Sequence, residues 1–215
     1  MNRETAGHPH AGQSMLVAGA PVERASGAMI ALHGRGADAA DILGLALEVA
    51  PPSMAVFAPQ AANHTWYPFR FLEPLERNEP FLSSALRIIQ DQVAALEELG
   101  FDPARIVLLG FSQGACLALE YGARNARRYG AILGFSGGLI GPPGAKFSFP
   151  GSMEGTPVFL GCSDVDFHIP KERVEETAAV LTELGADVDL RLYPGMGHTV
   201  NQDELDAARK LLSGI

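Results

Sequence analysis

One stretch near the middle of the chain constrains the fold most: an apolar run, a turn with two glycines, and then a helical segment. The apolar run Ile106–Leu109 is of strand type, and Ala115–Glu120 is of helix type. Ser112 lies in the turn between Gly110 and Gly114, where a glycine leaves room that a Cβ would fill. The stretch therefore predicts a buried strand that turns sharply into a helix at Ser112.

Short apolar runs alternate with helical segments along the rest of the chain. We predict strands over about Met15–Ala20, Ala28–Leu32, Met54–Ala58, Arg105–Leu109, Ala131–Phe135, Pro157–Gly161 and Val188–Tyr193. We predict helices over about Ala39–Ala50, Pro80–Leu99, the segment after Ser112, Pro170–Leu184 and Asn201–Ser213. Strands that alternate with helices form βαβ units, so the sequence predicts an α/β fold with a mostly parallel central sheet covered by helices on both faces.

The length of the chain and the absence of a linker indicate one domain. A chain of 215 residues is long enough to bury a full hydrophobic core without disulfides or metal ions, and no repeat or linker divides this one. We therefore predict a single domain over residues 14–215. Residues 1–13 contain no apolar run that would make a signal peptide, and we expect them to form a poorly ordered tail.

The charge and the cysteines exclude several classes of partner. The formal net charge is −9 with no basic patch, so nucleic acid is not an expected partner, and an anionic membrane surface would repel the chain. No apolar run approaches the ~20 residues of a membrane-spanning helix. Cys116 and Cys162 lie far apart in apolar segments, which indicates a reducing compartment without a disulfide framework. The sequence predicts a soluble, cytoplasmic protein that does not insert into membranes.

Ser112 is the candidate nucleophile, because a Gly-x-Ser-x-Gly turn between a strand and a helix lifts a hydroxyl above the edge of a sheet. A serine is a poor nucleophile at neutral pH, so it needs a base to take its proton and an acid to orient that base. In an α/β sheet these groups come from loops at the carboxyl ends of strands. His198 lies in a glycine-rich loop of this kind after the last strand, and we predict it as the base. The histidines that rank below it are His33, His64 and His168.

Two aspartates compete for the role of the acid. Asp164 and Asp166 both follow the preceding strand, and because they are two residues apart we expect only one of them to meet His198. Together with His168 they also resemble a metal cluster. No further acid or histidine lies near them in sequence, and the partnership with a catalytic serine already explains an acid here, so we predict no metal.

An oxyanion hole needs two N–H donors. One is the backbone N–H of Gln113, directly after the nucleophile, and the other is the backbone N–H of Arg35, in the glycine-rich loop after an early strand. That loop also fits a dinucleotide-binding fingerprint. The fingerprint requires an acid at the end of the next strand, and none stands there, so we reject a bound dinucleotide.

These motifs together resemble the phospholipase/carboxylesterase family of small serine hydrolases, which includes acyl-protein thioesterases. The resemblance covers about Met15 to Leu212. It rests on four motifs: Leu32-His33-Gly34-x-Gly36, Gly110-Phe111-Ser112-Gln113-Gly114, Asp166-x-x-x-Pro170 and Gly197-His198. It implies an α/β-hydrolase fold without a large cap domain, no cofactor, and hydrolysis of esters or thioesters.

The resemblance also bears on the two open residues. In the family the acid stands four residues before the proline, which favours Asp166. Asp164 remains the alternative, because Phe167 stands where the family commonly has proline. Arg35 departs from the small apolar or leucine residue usual at its position, and we expect its side chain to add a positive charge beside the site.

The substrate pocket is expected to draw on apolar side chains of the aromatic stretch after the third strand and of the histidine loop. The candidates are Trp66, Tyr67, Phe69, Phe71, Leu72, Phe81 and Met196. The chain has no room for a large lid, so we predict a carboxylesterase for small to medium apolar or aromatic esters rather than long lipids. An acyl thioesterase or lysophospholipase is the alternative, and a non-catalytic protein of this fold that binds a small ligand is the second class. Apolar loops around an uncapped site favour a homodimer.

Overall fold

The computed structural model describes residues 7–215. Seven strands form one sheet in the order β1-β3-β2-β4-β5-β6-β7. The strands are β1 (Met15–Gly19), β2 (Gly27–Leu32), β3 (Met54–Pro59), β4 (Ile106–Phe111), β5 (Ala131–Phe135), β6 (Pro157–Ser163) and β7 (Asp187–Tyr193). β1 runs antiparallel to β3, and every other neighbouring pair in the sheet is parallel. The predicted strands are all present, with ends that differ by up to two residues.

Five α-helices within these residues cover the two faces of the sheet. They are α1 (Ala39–Val49), α2 (Phe81–Glu98), α3 (Gln113–Arg124), α4 (Lys171–Glu183) and α5 (Gln202–Leu212). The buried side chains of α2, α3 and α4 share one apolar cluster with one face of the sheet, and those of α1 and α5 share a second cluster with the other face. The central strands are therefore buried on both sides, as their continuous apolar runs predict. The α/β fold predicted from the sequence is confirmed.

The parallel strands bring the candidate loops to one edge of the sheet. In the ladder between β2 and β4, Leu32 lies opposite Gly110, so the loop after β2 starts beside the turn after β4. Further along the sheet, Ser163 at the end of β6 lies opposite Tyr193 at the end of β7. The loops after these four strands consequently converge at the carboxyl edge, which is where sites form in sheets of this class.

The N-terminal segment is more ordered than the sequence indicates. Only 1% of His10 is exposed. Its Nδ1 accepts the N–H of Ala62 at 3.1 Å, and its Nε2 lies 2.8 Å from the carbonyl oxygen of Trp66. The backbone N–H of His10 also donates to Ser84 Oγ at 3.1 Å. Where we expected a poorly ordered tail over residues 1–13, His10 packs against α2 and the aromatic loop (residues 60–79, between β3 and α2), while residues 11–13 are exposed. The rest of that prediction, residues 1–6, lies outside the described residues.

Candidate active site

The turn that carries Ser112 has an unusual backbone. Ser112 stands between β4 and α3 with φ 55° and ψ −117°, in the left-handed half of conformational space that side chains rarely adopt. A backbone of this kind costs on the order of 1–3 kcal/mol and persists only where the surroundings enforce it. A Cβ at Gly114 would overlap the carbonyl of Leu32, and one at Gly110 would overlap the backbone of Gly114. Glycine is therefore required on both sides of the serine, as its spacing predicts.

A chain of hydrogen bonds joins the side chains of Ser112, His198 and Asp166. His198 Nε2 lies 2.9 Å from Ser112 Oγ, and His198 Nδ1 lies 2.6 Å from Asp166 Oδ2. The serine follows β4, the aspartate lies between β6 and α4, and the histidine lies between β7 and α5. These side chains are up to 86 positions apart in sequence, so the convergence of the parallel strands is what brings them together.

Asp166 is held as a carboxylate. Burial alone would raise its pKa, but hydrogen bonds from the His198 ring and from the N–H groups of His168 and Ile169 outweigh burial and hold the pKa below its ordinary value. A carboxylate at Nδ1 keeps the proton on that nitrogen. Nε2 is then unprotonated and accepts a hydrogen bond from the hydroxyl of Ser112.

Asp164 has a different partner. Its Oδ1 accepts the backbone N–H of Gly195 at 2.8 Å, and the neighbouring Ser163 Oγ accepts the N–H of Gly197 at 3.1 Å. Both bonds tie the loop that carries His198 to the end of β6. Of the two aspartates that the sequence left open, the structure brings Asp166 to His198 and uses Asp164 to hold the loop of His198 in place.

Two backbone N–H groups beside Ser112 are free to receive a ligand. Gln113 is the first residue of α3, so its N–H has no partner within the helix, and Arg35 lies in the loop after β2. Neither N–H donates to an acceptor elsewhere in residues 7–215. The loop of Arg35 is fixed by the N–H of Gly36, which donates to the His64 carbonyl at 2.7 Å. Burial lowers the pKa of His33, whose ring hydrogen-bonds the Gly34 carbonyl and the Ala61 N–H, so this histidine is a neutral support for the loop.

The side chain of Gln113 has a role that the sequence did not reveal. Its Oε1 accepts the N–H of Trp66 at 2.8 Å and the hydroxyl of Thr65 at 3.3 Å, and its Nε2 donates to the Tyr67 carbonyl at 2.8 Å. One side chain next to Ser112 therefore fixes the aromatic loop relative to the turn.

A cavity of about 270 Å³ opens above Ser112. Its walls are Gly34, Arg35, Ala37, Tyr67, Arg70, Phe71, Phe111, Ser112, Gln113, Cys116, His168, Ile169 and His198. Of the predicted pocket side chains, only Tyr67 and Phe71 belong to this wall. The sequence indicates an aromatic stretch here but does not distinguish neighbours along an irregular loop.

The other predicted pocket residues have different positions. Trp66 is fully buried, and its indole N–H donates to the His33 carbonyl at 2.9 Å. Phe69 is 42% exposed and lies under the guanidinium of Arg77. Met196 Sδ accepts a hydrogen bond from the side chain of Asn201. Two further candidates, Leu72 and Phe81, pack half-buried against the core.

Several wall residues were not predicted. Cys116 lies one helical turn after Ser112, so the spacing of four residues would have placed it on the same side of α3. Burial raises the pKa of the Cys116 thiol to about 12, which leaves it neutral. The rings of His168 and Phe111 flank His198, with centroids 4.8 Å and 5.0 Å from its own. Nothing in the sequence distinguishes Arg70 from other surface arginines.

The mostly parallel sheet, the left-handed serine turn and the order serine, aspartate, histidine along the chain define the α/β-hydrolase fold. No large cap domain interrupts the described residues. The sequence profile of the phospholipase/carboxylesterase family matches residues 15–215, and the chain belongs to that family. The resemblance found in the motifs is confirmed.

Solved structures and curated relatives agree with this membership. The crystal structure of a phospholipase/carboxylesterase from Dyadobacter fermentans is 42% identical, with a TM-score of 0.89 over 93% of this chain and 96% of that one. The crystal structure of esterase PE8 is 29% identical, with a TM-score of 0.75 over 94% of this chain and 99% of that one. Acyl-protein thioesterase 1 of Gibberella zeae is 36% identical over 127 residues, 58% of this chain and 52% of that protein. The chain thus spans about half the length of the curated relatives it matches. In residues 7–215, none of the helices combines the length and the apolarity that crossing a bilayer requires.

Proposed function

We propose that this protein is a carboxylesterase-type serine hydrolase that works through an acyl-enzyme. One observation carries the proposal: the unbroken chain of hydrogen bonds from Ser112 Oγ through His198 to the buried carboxylate of Asp166. Membership of the phospholipase/carboxylesterase family supports the same chemistry.

In the first half-reaction, Ser112 Oγ bonds to the ester carbonyl carbon while its proton passes to His198 Nε2. Asp166 stabilises the imidazolium that forms. When the tetrahedral intermediate collapses, the ester C–O bond breaks, and the alcohol leaves with the proton from His198. Water then repeats the sequence on the acyl-enzyme, releases the acid and restores the serine. No cofactor takes part in this scheme.

The developing oxyanion is assigned to the N–H groups of Gln113 and Arg35. Both lack an acceptor within residues 7–215, and the first of them begins α3, whose dipole favours a negative charge at that end. Donors of this kind stabilise an oxyanion by about 3 kcal/mol each.

The size of the cavity supports a small to medium ester as substrate. A volume of about 270 Å³ between Tyr67, Phe71 and Phe111 supports a short acyl chain or one aromatic ring rather than a long lipid. We expect kcat/KM on 4-nitrophenyl esters to stop rising well before about ten acyl carbons. Thioester hydrolysis is the second candidate, because curated relatives are named acyl-protein thioesterases. Oxygen and sulfur esters of the same acyl group separate the two.

The test of the chemistry is the Ser112→Ala variant with 4-nitrophenyl acetate and a fluorophosphonate probe. We expect turnover to fall to background and the probe to label the wild type at Ser112 only. Ser213→Ala removes an exposed hydroxyl at the end of α5 and serves as the matched control. Near-full activity of the Ser112 variant would refute the proposal, and labelling without turnover would favour a lysophospholipase with another substrate. A folded wild type that takes up no probe would indicate a protein that only binds a ligand.

Location and assembly are also part of the proposal. Two buried free thiols, Cys116 and Cys162, support residence in the reducing cytoplasm. A homodimer is supported by the edge strand β1, where Met15, Leu16 and Val17 are 37–52% exposed. Light scattering on the purified chain tests the dimer.

A further inference from the structure

The candidate cavity is cationic in an acidic molecule. The chain has a formal net charge of −9. The wall of the cavity nevertheless contains two arginines, Arg35 and Arg70, and no aspartate or glutamate; the carboxylate of Asp166 lies behind His198, bonded to its ring, and is not part of the wall. A neutral ester needs no such arrangement, and two guanidinium groups in a small cavity favour a ligand of opposite charge.

Arg35 is fixed in place by neutral partners. Its Nη1 donates to the Pro68 carbonyl at 2.8 Å, and its Nη2 donates to the carbonyl of Phe69. Its Cζ lies 5.9 Å from the centre of the Tyr67 ring. Carbonyl oxygens orient the guanidinium but do not cancel its charge, so the positive charge at the cavity wall is held in a defined position.

Arg70 directly follows Pro68 and Phe69, the two residues whose carbonyls bind Arg35, and it is exposed. Within the part of the chain that the structure describes, neither Arg70 nor Arg35 forms an ion pair with a carboxylate. The nearby Arg77, which does not line the cavity, pairs with Glu73 at 2.8 Å. Of these three arginines, the two that line the cavity have no carboxylate partner within the described residues, and the one outside the cavity has one.

We propose that the substrate carries a carboxylate in addition to the ester that Ser112 attacks, and that Arg35 and Arg70 bind this carboxylate. The inference rests on the proposed esterase function and names its substrate class: small half-esters of dicarboxylic acids, or esters of hydroxy acids, with an aromatic or short aliphatic skeleton. Ser112 and both arginines belong to one cavity wall, so the part of a small substrate beyond the reacting carbonyl lies among the same residues. The apolar rings of Tyr67 and Phe71 contact the skeleton, and the planar guanidinium groups match the carboxylate.

Pairs of esters that differ in one charge test the substrate class. The pairs are 3-acetoxybenzoate with 3-acetoxybenzamide, and monomethyl terephthalate with methyl 4-carbamoylbenzoate, followed by chromatography of the released product. We expect at least one acid to exceed its amide about tenfold in kcat/KM, the size of one charged hydrogen bond. In Arg70→Gln this ratio falls about tenfold, and in Arg70→Lys it falls less. Arg87→Gln removes one positive charge from α2, away from the cavity wall, and keeps the ratio of the wild type.

A binding measurement keeps the test independent of turnover. We expect isophthalate to bind Ser112→Ala more tightly than isophthalamide by calorimetry, and the additional Arg70→Gln change to abolish the difference. If no ester is hydrolysed but isophthalate binds through Arg70, the carboxylate site stands and the proposed esterase function fails. If both members of each pair are hydrolysed equally and isophthalate has no advantage, the carboxylate site is refuted and the esterase stands. A preference for acids that Arg70→Gln leaves unchanged also refutes the site.

Discussion

At the scale of single residues, Asp164 and Asp166 show how two identical side chains two positions apart acquire different roles. The carboxylate of Asp166 is buried and bonds to the ring of His198. That of Asp164 is exposed and bonds to the N–H of Gly195. One therefore sets the tautomer of His198, and the other anchors the loop that carries His198.

This division gives a matched pair of variants. In Asp166→Asn an amide replaces the carboxylate that holds the proton on His198 Nδ1, and we expect kcat to fall about 10⁴-fold. In Asp164→Asn the amide oxygen still accepts the Gly195 N–H, and we expect kcat within about twofold of the wild type. Steady-state kinetics on 4-nitrophenyl acetate measures both, with thermal melts to show that both fold. Equal losses in the two variants would contradict the assignment.

The residues that the structure places where the sequence predicts them are those whose position depends on a local motif. Ser112 and His198 lie in glycine-framed turns directly after apolar strands, so their loops are readable from a few neighbours. The identity of the acid and of the pocket residues follows less directly from the local sequence. Trp66 and Tyr67 are adjacent and equally apolar, but only Tyr67 reaches the cavity, because Gln113 and His33 fix the loop from distant parts of the chain. Periodicity carries no information about such long-range polar contacts.

At the scale of elements, the turn from β4 into α3 depends on the absence of side chains at its glycines. We expect Gly114→Ala to lower the free energy of unfolding by about 1–3 kcal/mol, because its Cβ would overlap the Leu32 carbonyl. Gly44→Ala is the control: its Cβ meets no atom within 4 Å on α1, and alanine stabilises a helix by up to about 1 kcal/mol. Urea denaturation measures both variants, and a neutral Gly114→Ala would show that the turn can relax.

Helix α5 contains a buried carboxyl group that predicts a pH effect. Glu204 is 0% exposed; its Oε2 accepts the N–H of Asn201, and its Oε1 has no partner within the described residues. Burial raises its pKa to about 7 from an ordinary value of 4.5. The folded state therefore binds a proton more tightly than the unfolded state. The stabilisation from that proton is complete below about pH 4.5 and is lost as the pH rises to about 7.

The Glu204→Gln variant isolates this contribution. Glutamine stays neutral at every pH, so the variant does not lose stability through this side chain as the pH rises from 4.5 to 7. We expect the difference in free energy of unfolding, variant minus wild type, to increase by on the order of 3 kcal/mol between pH 4.5 and pH 7. Above pH 7 this difference stays constant. Denaturant titrations across this range measure it. Parallel curves for the two proteins would show that Glu204 ionises normally.

The elements themselves were predictable because their patterns are repeated over many residues. Each predicted apolar run is a strand in the structure, and the last helix begins as predicted at Asn201, where Asn201 and Glu204 form a capping box. The N-terminal segment was not predictable, since the order of His10 depends on Trp66, Ala62 and Ser84, none of which is near it in sequence. Polar residues in a segment without periodicity look like a tail until their partners are known.

At the scale of the whole molecule, one sheet separates two apolar clusters, and every central strand contributes to both. Neither cluster keeps its packing surface without the sheet, so we expect residues 14–215 to unfold as one domain in a single cooperative transition. Trp66 is the only tryptophan, and it is buried in the cluster of α2, α3 and α4. Its fluorescence and the far-ultraviolet circular dichroism should give the same midpoint in urea. Two separate midpoints would show that two parts of the chain unfold independently.

The left-handed backbone of Ser112 also has a meaning for how this protein evolves. Glycine adopts that conformation without the cost of about 1–3 kcal/mol that serine bears, so a chain selected for stability alone would drift toward glycine at position 112. Position 112 nevertheless holds a serine. A mutational scan scored only by folding should therefore rank glycine above serine at this position, while a scan scored by ester hydrolysis should rank serine first, and the gap between the two rankings would mark the residue as one that selection keeps for chemistry.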